Sequence, residues 1–229
     1  MNNDASEGLM TAGDTLVCTG DSITWEPGGY VDSVREILAA RFPDDPPTVI
    51  NAGVGSDTAL QMLQRFEDDV LAHDPDVVSI MAGVADTVWQ LVGRSDAQSP
   101  AEEGSEPDEF GQAVEEMTTR ALDAGASVVL CTPTLFEEHW SPDPAGGNRM
   151  IVAKTRHIER IAQEYGATIV PTAEVLKQAR DDAREAGREL HFTPDGFHPD
   201  EVGHALMSLA FVAALGYDIE SLRECEAQE

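Results

Sequence analysis

Five short apolar runs, separated by longer segments of helical periodicity, constrain this chain more than any other feature. The runs are continuous and rich in Val and Ile, as is typical of strands that are covered on both faces. They span residues 15–19, 47–53, 76–83, 126–133 and 167–171. Alternating strands and helices in a chain of 229 residues predict one α/β domain with a five-stranded parallel sheet and helices on both faces.

Helical patterns and two long loops complete this outline. Helical patterns cover residues 108–124, 149–165 and 173–186. The last helix is expected to start near Pro199, because proline followed by two acidic residues is typical of a first helical turn. The acidic segment 93–110 is predicted to be a loop, either solvated or acting as a lid. A second loop is predicted over 136–149, with His139 and Trp140 as candidates to line a pocket.

The charge of the chain excludes several kinds of partner. There are 43 Asp and Glu against 14 Lys and Arg, for a formal net charge of −29. Such an excess of carboxylates argues against binding of nucleic acid or of anionic membrane surfaces. Mutual repulsion of these groups predicts a salt-adapted protein that unfolds at low ionic strength. The first 15 residues lack a basic segment and a long apolar run, so a cytoplasmic protein without signal peptide or membrane span is expected.

A small residue, a carboxylate and a hydroxyl follow the first predicted strand at a sharp turn, as Gly20, Asp21 and Ser22. A serine in this position is often an ordinary helix cap. Near the other end of the chain, however, Asp195 and His198 stand three positions apart, just before the last predicted helix. A serine becomes a nucleophile when a base takes its proton, and a carboxylate can orient that base. The two motifs together predict a Ser22–His198–Asp195 triad at one edge of the sheet.

These motifs also resemble a known family. GDSIT (20–24) and DGFHP (195–199) are similar to signature blocks of the SGNH (GDSL) hydrolases, and NAGVGSDT (51–58) and IMAGVAD (80–86) match the two blocks between them. The resemblance is strongest to the acetylxylan-esterase-like carbohydrate deacetylases. It implies a three-layer α/β/α flavodoxin-like sandwich, serine esterase chemistry, and no metal or cofactor.

The resemblance also sets the expected domain limits. It extends from about Asp14 to Tyr217, so we expect one hydrolase domain over 14–217. Short tails are then expected over 1–13 and 218–229.

Two positions depart from the family pattern, and both bear on the oxyanion hole. The resemblance implies backbone N–H donors at Ser22 and Ser56, and Ser56 stands where the family has glycine. Ala85 stands where the family has an asparagine whose amide is the third donor. Loss of one such donor costs about 10²–10³ in rate, so a slow esterase is predicted. Asn51, the Ser56 hydroxyl or a water are open candidates to replace it.

Other polar and aromatic residues near these motifs have less specific interpretations. Asp21 either tunes the nucleophile turn or caps a helix, and Trp25 and Trp89 either form a sugar-stacking wall or belong to the core. His191, His198 and His204, with Asp195 and Asp200, are considered as a metal site. The spacing of His198 and His204 does not place them on one helix face, so no metal is expected.

The sequence therefore predicts a serine esterase that removes small acyl groups, acetyl above all, from a small-molecule ester such as an acetylated oligosaccharide. Two alternatives remain open: a catalytically impaired protein that binds acylated sugars, and an acyltransferase that uses the same triad. A homo-oligomer is compatible with the sequence.

Overall fold

The sheet is built as the apolar runs predict. The computed structural model describes residues 8–92, 109–137, 139 and 143–217. Within these residues five strands form one parallel sheet in the order β2-β1-β3-β4-β5. The strands are β1 (Thr15–Gly20), β2 (Thr48–Gly53), β3 (Val77–Met81), β4 (Ser127–Cys131) and β5 (Thr168–Val170). The α/β class and the five-stranded parallel sheet are therefore confirmed.

Helices cover both faces of the sheet. They are α1 (Ser22–Trp25), α2 (Tyr30–Arg41), α3 (Ala59–Asp69), α4 (Val84–Leu91), α5 (Glu109–Asp123), α6 (Pro144–Tyr165), α7 (Thr172–Glu185) and α8 (Glu201–Ala214), with a short 3₁₀ helix over Leu71–His73. In the part of the chain that the structure describes, no helix combines the length and the apolar character needed to cross a membrane.

Alternate residues of the strands face two separate apolar cores. In β1, Leu16 and Cys18 belong to one core and Val17 to the other, and β4 divides Val129 and Val128 in the same way. The first core includes residues of α2, α7 and α8, and the second includes residues of α3, α5 and α6. This burial on both sides explains why the strands read as continuous apolar runs. It also confirms the three-layer sandwich.

Two predicted boundaries need correction. The predicted loop 136–149 is wrong at its end, because α6 already begins at Pro144, where Asp143 caps it by accepting from Gly146 N at 2.8 Å. The last helix begins at Glu201 rather than near Pro199. Of the predicted loop 93–110, residues 93–108 lie outside the described residues, and so does Trp140.

The carboxyl ends of β1, β2 and β3 meet at one edge of the sheet. Gly20 lies opposite Gly53 and Met81 in the two neighbouring strands, and Val54 N donates to the Gly20 carbonyl at 3.0 Å. Gly20 has no room for a side chain, since a Cβ there would lie 2.0 Å from Thr24 Oγ1. The tight strand end therefore places the turn that starts α1 beside the loops that follow β2 and β3.

Candidate active site

Ser22 is placed by the turn between β1 and α1. It is the first residue of α1, and Asp21 caps this helix by accepting from Ile23 N at 3.0 Å. The first N–H groups of a helix have no partner within that helix, so the Ser22 N–H is available to a ligand. Asp21 rather than Ser22 thus caps the helix, and the Ser22 hydroxyl is left for another partner.

That partner is the imidazole of His198. Ser22 Oγ lies 2.8 Å from His198 Nε2, and His198 Nδ1 lies 2.6 Å from Asp195 Oδ2. Asp195 Oδ1 accepts from the backbone N–H groups of Phe197 and His198, at 3.1 and 2.8 Å. The three side chains predicted from two distant motifs are therefore brought into one hydrogen-bonded chain, with the carboxylate held in place by its own turn.

The electrostatics of this chain favour an ionised Asp195. Partial burial raises the pKa of its carboxyl, but hydrogen bonds from the His198 ring and from two backbone amides outweigh burial and hold the pKa below its ordinary value. An ionised carboxylate at Nδ1 fixes the tautomer in which Nδ1 carries the proton and Nε2 is free to accept one. This is the state that a general base next to Ser22 requires.

The segment that carries Asp195 and His198 is anchored by Glu137, a residue that sequence reasoning missed. Glu137 N donates to the Gly196 carbonyl at 2.9 Å, and its buried carboxylate accepts from Phe192 N at 2.8 Å. The ring of Phe197, next to His198, packs against that imidazole in a tilted arrangement with ring centroids 4.1 Å apart. The sequence shows only an acidic residue in a predicted loop. The fold alone shows that this residue is buried and which backbone groups it binds.

The loop after β2 brings Ser56 to this edge with the backbone of a glycine. Ser56 has φ +70°, in the left-handed region, and its carbonyl accepts from Trp89 Nε1 at 2.9 Å. The backbone angle that glycine normally supplies is thus retained by serine, at a cost of about 1–2 kcal/mol. Trp89 on α4 therefore orients this peptide through its ring N–H. Neither interpretation from the sequence, a sugar-stacking wall or a core residue, included this contact.

Ala85 lies next to the nucleophile turn, at the start of α4. Its N–H points to Asp21 Oδ2 at 3.3 Å, and its side chain is buried. A methyl group offers no donor, so no side-chain N–H comes from this position. Asn51 is engaged at both ends, because its Nδ2 donates to the Thr24 carbonyl at 2.7 Å and its Oδ1 accepts from Gly53 N at 2.9 Å. Asn51 therefore ties α1 to β2.

Two buried carboxyls lie beneath this edge. Burial raises the pKa of Asp21 to about 6, although amide hydrogen bonds and the charge of His198 lower it. Burial also raises the pKa of Asp86 to about 6, against the charge of Lys154 and the hydrogen bond from Ala59 N. Asp86 thereby links α4 to the start of α3.

Trp25, the last residue of α1, is exposed and presents an open aromatic surface.

The histidines that were considered together as metal ligands are separated. His198 faces Ser22, whereas the buried His204 accepts from Tyr30 N through Nδ1 at 3.1 Å. His191 lies instead with Glu137 and His139.

Comparison with known proteins agrees with this geometry. A sequence model described as the GDSL-like lipase/acylhydrolase family matches residues 18–206. The chain belongs to this family. A curated relative, acetylxylan esterase from Geobacillus stearothermophilus, is 26% identical over 221 residues, which are 93% of this chain and 96% of that protein.

Two solved structures are similar to this chain over most of its length. LAE5, an alpha/beta hydrolase enzyme from the metagenome of Lake Arreo in Spain, has 26% identity and a TM-score of 0.75, covering 91% of this chain and 97% of its own. A variant of Axe2, an acetyl xylan esterase from Geobacillus stearothermophilus, has 25% identity and a TM-score of 0.76, covering 92% and 98%. The predicted family, its closeness to acetylxylan esterases and the class of carboxylic ester hydrolase are confirmed.

Proposed function

We propose that this GDSL-like hydrolase removes small acyl groups, acetyl above all, from carbohydrate esters by serine catalysis. The observation that carries the proposal is the chain of short contacts from Ser22 Oγ through His198 to Asp195, at 2.8 and 2.6 Å. The acyl and substrate class follow from similarity to acetylxylan esterases, which extends over nearly the whole chain.

In the proposed reaction, Ser22 Oγ attacks the ester carbonyl carbon while its proton passes to His198 Nε2. The tetrahedral intermediate collapses, the bond between the acyl carbon and the sugar oxygen breaks, and His198 gives that proton to the leaving sugar hydroxyl, which leaves Ser22 acylated. Water then attacks the acyl carbon while His198 takes a proton from it, the bond from that carbon to Ser22 Oγ breaks, and His198 returns the proton to Oγ as the carboxylic acid leaves. Asp195 keeps its charge throughout and stabilises the imidazolium form of His198.

The oxyanion of each tetrahedral intermediate is proposed to be held by the backbone N–H groups of Ser22 and Ser56. The left-handed backbone of Ser56 supports this role, since it presents the peptide as a glycine would. Ala85 adds no side-chain donor, and Asn51 is committed to two backbone groups. The hole is therefore proposed to be weaker by one donor, which lowers kcat by about 10²–10³. The exposed ring of Trp25 is proposed as a stacking surface for the sugar.

The protein is also proposed to be adapted to high salt. Its net charge of −29 in 229 residues gives strong self-repulsion that dissolved cations screen. Activity and stability should therefore be measured in concentrated KCl.

The test combines covalent labelling with a substrate panel in molar KCl. A fluorophosphonate is expected to label the folded protein at Ser22, and Ser22→Ala is expected to abolish labelling. Acetyl esters and acetylated xylo-oligosaccharides are expected to be hydrolysed faster than butyryl or octanoyl esters. Absence of labelling in a folded sample would reject the serine mechanism. Binding of acetylated sugar without turnover would select the impaired binding protein, and acyl transfer to an added alcohol in preference to water would select the acyltransferase.

A further inference from the structure

A second polar cluster lies apart from the hydrogen-bonded chain of Ser22, His198 and Asp195. It borders a cavity of about 620 Å³ between the residues that follow β4 and those that follow α7. Glu137, His139 and His191 line this cavity, whereas Ser22, Asp195 and His198 do not. The cluster is therefore separate from the proposed esterase site, although Glu137 also anchors the segment that carries Asp195 and His198.

The three groups converge on one point. Glu137 Oε2 lies 2.7 Å from His191 Nδ1 and 3.6 Å from His139 Nδ1, and one donor atom from each residue falls within 4.8 Å of the others. The two imidazole rings stand perpendicular with their centroids 5.8 Å apart. Zn–N and Zn–O bonds of about 2.0–2.2 Å at tetrahedral angles put neighbouring ligand atoms about 3.3 Å apart. The distances from Glu137 Oε2 to the two histidine nitrogens, 2.7 and 3.6 Å, lie on either side of that value.

Small adjustments would bring the donors to ideal positions. The side chains of His191 and His139 are 57% and 44% exposed, so their rings can turn without disturbing the core. Glu137 is the fixed member, because it is buried and its Oε1 accepts from Phe192 N at 2.8 Å. A rigid carboxylate with two adjustable imidazoles is a partly preorganised ligand set.

The surroundings of these ligands also resemble a metal site. A ligating histidine usually donates its second ring N–H to a carboxylate, which sets its tautomer. His191 Nε2 lies 3.4 Å from Glu189 Oε1, on the side away from Glu137. In Glu137, Oε2 faces the histidines, and Oε1 accepts a hydrogen bond from the backbone N–H of Phe192. Both residues thus have the outer contacts that ligands in metal sites have.

We propose that Glu137, His139 and His191 form a Zn²⁺ site whose fourth position opens to the cavity. Two imidazoles and one carboxylate match the borderline character of zinc, whereas Ca²⁺ and Mg²⁺ prefer sites made of oxygen alone. The fourth ligand is water or a small anion. Arg180, Arg184 and Arg188 line the same cavity and favour an anion there.

The test is a zinc titration of the full chain, produced without a histidine tag and stripped with a chelator, in phosphate-free buffer with molar KCl. A competing coloured chelator reports the free Zn²⁺. The variants are His191→Ala, Glu137→Gln and Glu189→Gln, with His73→Ala as the matched control because His73 is exposed and remote from the cluster. Circular dichroism checks each fold, and His191→Ala and Glu189→Gln change exposed side chains, which keeps the test independent of the buried Glu137.

One equivalent of Zn²⁺ is expected to bind to the unmodified protein and to His73→Ala. Affinity is expected to fall at least about 100-fold in His191→Ala and about 10-fold in Glu189→Gln, as for loss of a ligand and of its outer partner. Co²⁺ should give the intense visible absorption of a tetrahedral ion. The proposal is overturned if the unmodified protein binds no stoichiometric Zn²⁺ or if His191→Ala binds it unchanged.

Discussion

The hydroxyl oxygen of Ser22 lies 2.8 Å from Nε2 of His198, although 176 positions separate the two residues along the chain. Ser22 follows the first strand and His198 precedes the last helix, so their contact joins the two ends of the fold. Asp195 is local to His198, since both belong to one turn. The proposed machinery thus combines one short-range pair, Asp195 and His198, with one long-range contact between His198 and Ser22.

Asp195→Asn is expected to lower kcat by about 10⁴, the loss typical when the orienting carboxylate of a Ser-His-Asp triad becomes an amide. The amide leaves His198 in the wrong tautomer while the turn is preserved, so KM should change little. Steady-state hydrolysis of p-nitrophenyl acetate measures both constants. Asp123→Asn, at an exposed helix end, is the control. Equal activity of the two variants would contradict the role assigned to Asp195.

Ala85→Asn is expected to raise kcat, by up to about 10²-fold, because it restores a side-chain donor beside the nucleophile turn. Ala85→Leu is the matched control, since leucine has similar size but no N–H group. The same ester assay compares the three proteins. If asparagine gives no more turnover than leucine, the hole lacks no donor at this position.

Trp89→Phe is expected to lower kcat about fivefold with KM nearly unchanged. The substitution keeps an aromatic ring but removes the Nε1 donor to the Ser56 carbonyl, and one such hydrogen bond contributes about 1 kcal/mol. Trp89 is then a positioning residue that acts through the Ser56 peptide. A purely structural role predicts instead a lower melting temperature with the same kcat, which thermal unfolding measured alongside the kinetics distinguishes.

Asp86→Asn is expected to stabilise the protein relative to wild type at pH 8 but not at pH 4. The folded-state pKa of Asp86 is raised from 3.8 to about 6, so the native state binds more protons than the unfolded state between these values. The contribution of Asp86 to the free energy of unfolding therefore falls as pH rises from about 4 to about 6, and it stays low at higher pH. The shift of about two units corresponds to about 3 kcal/mol. Asparagine retains an acceptor for Ala59 N but does not ionise.

Urea unfolding at constant KCl, at pH 4 and pH 8, measures this difference. Asp123→Asn serves again as the exposed control and should show no such change. A stability difference between Asp86→Asn and wild type that does not depend on pH would show that Asp86 ionises normally.

The melting temperature is expected to rise as KCl increases from dilute buffer to molar concentration. If screening recovers about 3 kcal/mol of charge repulsion, the rise is about 6–12 °C for a chain of this size. A neutral osmolyte at equal osmolality should produce a smaller change, because it does not screen charge. A melting temperature that is the same in dilute buffer and in molar KCl would remove the proposal of salt adaptation.

Much of the fold was readable from local pattern. The five strands fall within or overlap the predicted runs, because burial on both faces demands continuous apolar sequence, as Leu16, Val17 and Cys18 show by dividing between two cores. Helix ends were less predictable. Pro144 starts α6 inside a predicted loop, since a capping bond from Gly146 N to Asp143 overrides the local glycines and prolines.

The candidate site likewise has one part that the sequence determines and one part that depends on the fold. Sequence alone determined which chemical groups are present: the hydroxyl, carboxylate and imidazole of Ser22, Asp195 and His198, and a methyl group at Ala85, all of which are matters of residue identity and short spacing. Only the tertiary structure decided which groups meet. The closure of the sheet edge brings His198 to Ser22, turns Ser56 to φ +70°, and gathers Glu137 with two histidines. Such contacts depend on how distant segments pack, and no local pattern of residues encodes them.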